Sequence, residues 1–346
     1  MSRDFNGDLR NRPKVITKKD VEKNPNRYYF NAETAKYGEY TNWQDKIKLF
    51  RLTKPTSMEK PKQIIDCLWI EGENAILFGQ DESGKSIFCV QVGCAIASGN
   101  PIPGFTKDVP PQPVAYFDTE LSDRQFNDRF PGQLPKNFYR LTFDEDQQRA
   151  LIGANVEFVV DQLEQAANDL KAKIIIIDNL SSLCSMLDLV KTRDAIQLMG
   201  ELNALKKKGF SILIVDHSRK PMKEGDFKSI SKNDLQGSKM KSNLTDNVIG
   251  IAKSCQCENM RYIIGLKVRS MQNRFTRSKV ATLEILTAPL RLEYLGVNAE
   301  FEHVNDNKGA AHKMAAEGKT QAEIARELAV SQQYISKALK EDEVPF

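Results

Sequence analysis

Residues 174–177 are four isoleucines in a row, and the next residue is Asp178. A strand with one wet face alternates apolar and polar side chains, so one that is apolar at every position must be covered on both faces. The same signature recurs at Ala75–Phe78, Val114–Phe117 and Ile212–Val215, with helix-like stretches between them such as Asn155–Leu170 and Thr192–Lys208. This alternation predicts an α/β fold with a mostly parallel central sheet sandwiched by helices. Further β-rich runs at Val248–Ile251, Tyr262–Leu266 and Val280–Leu286 are closely spaced and predict antiparallel neighbours. Parallel sheets place ligands at the C-terminal ends of their strands. Asp178 is then a carboxylate delivered to a binding edge, or a turn residue that ends the strand.

The run Ala75–Phe78 opens into F-G-Q-D-E-S-G-K-S-I-F, residues 78–88. Gly79 to Ser86 has the spacing G-x-x-x-x-G-K-S, between a predicted strand and a predicted helix, which is the context a triphosphate-binding loop requires. Glycine permits backbone angles closed to other residues and lets the chain approach phosphate oxygens. Backbone N–H groups and the positive helix N-terminus then face the anion. Gly79, Gln80, Asp81, Glu82, Ser83, Gly84, Lys85, Ser86 and Ile87 are the predicted cradle for ATP. Lys85 would neutralise the β- and γ-phosphates, while the Ser86 hydroxyl and Asp178, the latter through water, would hold Mg²⁺.

Asn179 follows Asp178, so the chain lacks an acid at that position for activating water. The candidate lies in V-A-Y-F-D-T-E-L-S, residues 114–122, where a strand runs out into Asp118, Thr119 and Glu120. Glu120 would orient or deprotonate the attacking water. The alternative is that it opens the following helix, for which Ser122 also has N-cap character.

The loop at 79–86, D-T-E-L-S at 118–122, I-I-I-I-D-N at 174–179 and I-L-I-V-D-H-S at 212–218 together resemble the RecA-like P-loop ATPase superfamily. Within it they are most similar to the RepA/DnaB-type branch of hexameric helicases, with KaiC more distant, over residues 61–290. The resemblance implies a polar γ-phosphate sensor at His217. In G-L-K-V-R-S-M-Q-N-R-F, residues 265–275, it implies that Lys267 and Arg269 enter the active site of a neighbouring subunit. It also implies a homo-oligomer, with a hexameric ring as the form taken by that branch, and an origin in a plasmid or mobile element.

Between His217 and Leu244 the chain has no clear period and carries Lys220, Lys223, Lys228, Lys232, Lys239 and Lys241. A flexible basic loop suits a nucleic-acid backbone, so Lys220, Lys239 and Lys241 are candidate contacts to single-stranded DNA, against the plainer reading of a solvated loop. Residues 313–341 read as three short helices. Gly318 stops the first, Thr320 and Glu323 form a capping box for the second, and Ser331 caps the third. Ile324, Ala325, Leu328, Ile335 and Leu339 would face inward. The pattern resembles a helix-turn-helix, with Gln332, Gln333, Tyr334, Ser336 and Lys337 facing duplex DNA. A protein-docking module is the alternative.

The boundaries read as a basic arm at 1–60, an ATPase domain at 61–304, a polar hinge at Asn305–Gly309 and a helical unit at 310–346. Net charge is +4 in 346 residues, which selects no partner by itself. No run reaches ~18 apolar residues, the N-terminus has no signal-like core, and a cytoplasmic protein without membrane contact is expected. The six cysteines lack metal-ligand spacing and suit a reducing compartment. The expected function is an ATP-hydrolysing motor on DNA, a replicative helicase or replication-initiation ATPase. The rivals are a nucleotide-switched DNA-binding regulator that unwinds nothing and a KaiC-like signalling ATPase.

Overall fold

Successive strand side chains point to opposite faces, and the computed structural model shows each buried strand dividing its residues between two cores. It describes residues 17–23, 28–31, 36–39, 60–132, 134–144, 155–186, 192–218, 225–236 and 239–340. The chain separates into two units, Met1–Lys60 and Pro61–Phe346. In the first, helix α1 (Lys18–Lys23) precedes an antiparallel pair, β1 (Tyr28–Asn31) and β2 (Lys36–Glu39).

The second unit opens with the hairpin β3 (Gln63–Ile65) and β4 (Trp69–Ile70). There follow β5 (Asn74–Gly79), α2 (Lys85–Ser98), β6 (Val114–Asp118), α3 (Asp123–Arg129), β7 (Phe138–Leu141) and α4 (Val156–Asp169). Next come β8 (Ile174–Asp178), α5 (Leu180–Met186), α6 (Thr192–Lys207), β9 (Ser211–His217) and α7 (Lys239–Leu244). The chain then runs through β10 (Asn247–Lys253), β11 (Met260–Lys267), β12 (Val280–Thr287) and β13 (Leu290–Asn298), and on to α8 (Asn307–Ala316), α9 (Gln321–Glu327) and α10 (Gln332–Lys340).

Nine strands form one sheet in the order β13-β12-β11-β10-β5-β9-β8-β6-β7. Pairing is parallel from β10 to β7 and antiparallel from β10 to β13. This is the mostly parallel α/β sheet that the apolar runs predict, with the late strands antiparallel as expected. Strand β9 lies between β5 and β8, so its C-terminal end falls between the glycine loop and Asp178. Leu77, Tyr116, Ile176 and Val215 pack under α2 with the β3–β4 hairpin, while Phe78, Phe117, Ile177 and Ile214 meet α4 and α6 on the opposite face. Each such side chain contributes about 1.5–3 kcal/mol relative to exposure.

Strands β7 and β13 and the β3–β4 hairpin escape the apolar-run reading because they are short or mix polar with apolar residues. At the C-terminal end, Thr320 and Glu323 form the expected capping box, and Ala329, at φ 53°, makes the turn before α10. The small core there is Ala311, Ile324, Ala325 and Ile335, with Leu328 and Leu339 packed against it. The Asn305–Gly309 stretch, expected as a hinge, is tied to the preceding loop. The Asn305 N–H donates to the Phe227 carbonyl at 2.8 Å, and the Ser229 N–H donates to Asp306 Oδ2 at 3.1 Å. Among the described residues no helix is long and apolar enough to cross a membrane.

Candidate functional site

The glycine loop joins the end of β5 to the start of α2. A Cβ at Gly79 would lie 2.1 Å from the Ile251 carbonyl oxygen, so no other residue fits there. Gly84 takes φ 92°, turning the chain into α2 and aiming the first N–H groups of that helix back over the loop. Glu82 is also left-handed, at φ 60°. It is held there by Lys253 Nζ at 3.2 Å from its carboxylate and by Arg261, which donates to its carbonyl at 3.1 Å. Lys85 is buried, and Nζ donates to the Gly79 and Gln80 carbonyls at 3.1 and 2.8 Å. Burial lowers its pKa, while Asp178, Asp81, Glu120 and Asp216 push it back up. A lysine surrounded by four carboxylates is poised to exchange backbone carbonyls for phosphate oxygens.

Asp178 ends β8, fully buried. Burial pushes its carboxyl up from the ordinary range, and hydrogen bonds from the Tyr116 and Ser86 hydroxyls draw it back down. The Tyr116 hydroxyl donates to Oδ2 at 2.6 Å. Ser86 and Asp178, the two residues that the sequence reading assigns to Mg²⁺, thus meet, and they would hold the ion there. Among the described residues no three His, Cys, Asp or Glu groups converge on a metal.

Asp118 and Glu120, two residues apart, have different fates. Asp118 is buried: Oδ2 accepts Arg140 Nε at 2.9 Å, and Oδ1 accepts the N–H groups of Glu120 and Leu121 at 3.1 and 2.9 Å. Its lone pairs are spent on shaping the turn. Glu120 is exposed, and Asn179 Nδ2 donates to its Oε2 at 2.6 Å. The cap of α3 belongs to Ser122, which accepts the Gln125 N–H, so Glu120 is released from that role. Asn179, noted in the sequence only for not being an acid, is the residue that positions one.

His217 sits directly across from Gly79 in the β5–β9 register, and its Nδ1 is 2.8 Å from Asp81 Oδ1. Lys267 donates to the Ser242 carbonyl at 2.9 Å and also to the Thr245 carbonyl, closing the C-terminal end of α7. Arg269 Nη1 donates to Asp246 Oδ1 at 2.7 Å with its side chain 58% exposed. Both cations therefore bond to residues 242–246 of their own chain.

Of the basic-loop residues, Lys220 and the side chain of Lys239 lie outside the described residues. Lys241 departs from its expected outward role: it is buried, with Nζ 2.6 Å from Asp216 Oδ2. Asp216, wholly buried next to His217, requires a cation, and it also accepts the Ser181 hydroxyl at 2.8 Å and the His217 N–H at 2.9 Å. Nor is the segment loose throughout, since Ile230 and Leu235 are buried in the core and Ile230 packs on Gly250. On α10, Ile335 and Ala338 are buried, while Gln332, Gln333, Tyr334 and Lys337 are exposed.

Arg140, Asn179, Tyr116 and Asp216 are the site residues that motif reading misses. Their roles arise from pairing between separate elements, and only the position of Asn179, directly after Asp178, gives any advance signal.

Residues 48–223, a little over half the chain, match a family model described as an AAA domain. Among solved structures, the chain is similar to a KaiC-like protein from the hyperthermophilic archaeon Pyrococcus horikoshii OT3. The two are 16% identical with a TM-score of 0.47, over 65% of this chain and 91% of that one. A comparison with curated proteins gives no match.

Proposed function

The chain belongs to the AAA domain family; from that premise we propose that it is a P-loop ATPase of RecA-like architecture that uses ATP to act on DNA. Lys85 and the N-terminus of α2 hold the phosphates. Ser86 and Asp178 would hold Mg²⁺, which when bound neutralises charge on the β- and γ-oxygens. Glu120, steadied by Asn179, orients and deprotonates the attacking water, and His217 reads the γ-phosphate. In a homo-oligomer, a hexameric ring by resemblance, Lys267 and Arg269 leave residues 242–246 to stabilise a neighbour's transition state. Lys220 and Lys239 are the contacts to single-stranded DNA that the sequence reading assigns. Lys241 does not join them, because Asp216 holds it. The finer reading, a replicative helicase or replication-initiation ATPase of a plasmid or mobile element, rests on the sequence resemblance.

The observation that carries the DNA reading is α10, apolar inward at Ile335 and Ala338 and polar outward at Gln332, Gln333, Tyr334 and Lys337. A helix of this kind in a helix-turn-helix reads base edges in the major groove. Duplex and single-strand affinities at fixed salt, for the full chain and for the Tyr334→Ala, Lys337→Ala double variant, test it. Duplex affinity should fall at least ~10-fold with single-strand affinity and ATPase intact. Equal duplex binding by both proteins would sink the reading. Strand displacement on a forked duplex then decides between a helicase and a nucleotide-switched regulator.

A further inference from the structure

The phosphate loop carries two acids of its own, Asp81 and Glu82, where a polyanion is to bind. Each is already engaged, but by different kinds of partner. Glu82 is held from the side by Lys253 and Arg261, on β10 and β11. Asp81 bonds instead to His217, the residue that the neighbouring strand sets beside the loop. The geometry of this pair is fixed by backbone. Gly79 and His217 are register partners, and the Ser218 N–H donates to the Gly79 carbonyl at 3.0 Å. Asp81, two residues along, therefore reaches Nδ1 without any rearrangement of the sheet.

We propose that Asp81 is a stand-in for the γ-phosphate, occupying His217 until a triphosphate displaces it, and so sets how sharply the site distinguishes ATP from ADP. The proposal rests on the reading of residues 79–87 as a triphosphate loop with His217 as its γ-phosphate contact. On that reading a diphosphate lacks the group that His217 contacts and leaves the Asp81 contact in place. A triphosphate that takes the Nδ1 side of the ring displaces Asp81, and its binding is weakened by the contact it breaks. Asp81 also repels phosphate by simple charge, more strongly for the triphosphate, but that part does not depend on His217 and is separated from the contact by the double variant. Asp81 is thus a positioning residue that acts through His217. Its side chain is 67% exposed, so its removal does not endanger folding.

The experiment measures, by calorimetry on the full chain with Mg²⁺, the affinities for ADP and a non-hydrolysable ATP analogue. Four proteins are compared: wild type, Asp81→Ala, His217→Ala and the double variant. An exposed pair of this kind is worth a modest factor, so Asp81→Ala should raise the ratio of ATP-analogue to ADP affinity about two- to fivefold. In the His217→Ala background the same substitution should raise the ratio distinctly less, since the difference between the two effects isolates the pair. Equal gains for both nucleotides overturn the proposal and reduce Asp81 to a source of general repulsion. A rise in the ratio that is just as large without His217 overturns it as well. A wild-type chain that binds neither nucleotide removes the loop reading itself, a failure distinguishable from the other two.

Discussion

The rim of the sheet and the three C-terminal helices handle charge in opposite ways. At the ends of β5, β6, β8 and β9, Lys85, Asp118, Asp178 and Asp216 are buried, and each is answered by a specific partner. In α8–α10 the core is Ala311, Ile324, Ala325 and Ile335, and Lys319, Glu323, Glu327, Lys337 and Lys340 are partly or wholly exposed. A buried charge tolerates little change, because removing one partner strands the other in a medium that cannot solvate it. An exposed charge costs little to move and is available to a ligand. The rim is therefore built for chemistry at fixed distances, and the terminal helices for a face that can be varied.

The contrast is broken outright if Lys85→Ala retains turnover. That substitution removes the cation facing the phosphates, and ATP hydrolysis should fall to background in a steady-state phosphate-release assay. Next in size, Arg140→Ala leaves Asp118 buried with its best partner gone. Chemical denaturation should show a loss of about 3–5 kcal/mol, because the uncompensated carboxylate remains inside. A loss near zero would mean that the rim tolerates unpaired charge as the terminal helices do.

Glu120→Gln sharpens the comparison within the rim. It should bind ATP normally yet turn over at least ~100-fold more slowly, as expected when a water-activating group is lost. Asp118→Asn, by contrast, should appear mainly as lost stability. If Asp118→Asn is the catalytically dead variant that still folds, the roles of the two acids are reversed. The smallest effect belongs to the other region: Thr320→Ala removes one cap of α9 and should cost about 1 kcal/mol, with ATPase unchanged. Local unfolding of residues 310–340, read by hydrogen exchange, is the measurement that checks it.

How far the sequence could be read follows the same division. Caps and turns are local, so Thr320, Glu323, Gly318 and Ala329–Val330 are visible as letters and fold as read. The unbroken apolar strands are equally legible, because a run such as Ile174–Ile177 admits few environments. The glycine loop is legible for the same reason, each residue type serving a backbone angle or a phosphate oxygen. What escapes is pairing between elements distant in sequence. Nothing in F-Y-R-L says that Arg140 will cross to Asp118, and nothing in K-M-K-S says that Lys241 will turn inward to Asp216. Six lysines on a stretch without period read as a basic surface. One of them belongs to the core because the strand next door ends in a buried acid.

The Asp216–Lys241 pair also works as a fastener. It joins the chain to itself at the base of the excursion that leaves β9 at His217 and returns through α7. A closed loop pays for added length only logarithmically, about 0.6 kcal/mol for each doubling. Added length in the segment beyond His217 therefore carries little penalty for the sheet, provided the two ends still meet and Ile230 and Leu235 keep their places in the core. Reach in that segment is free to drift while those anchors stay in register.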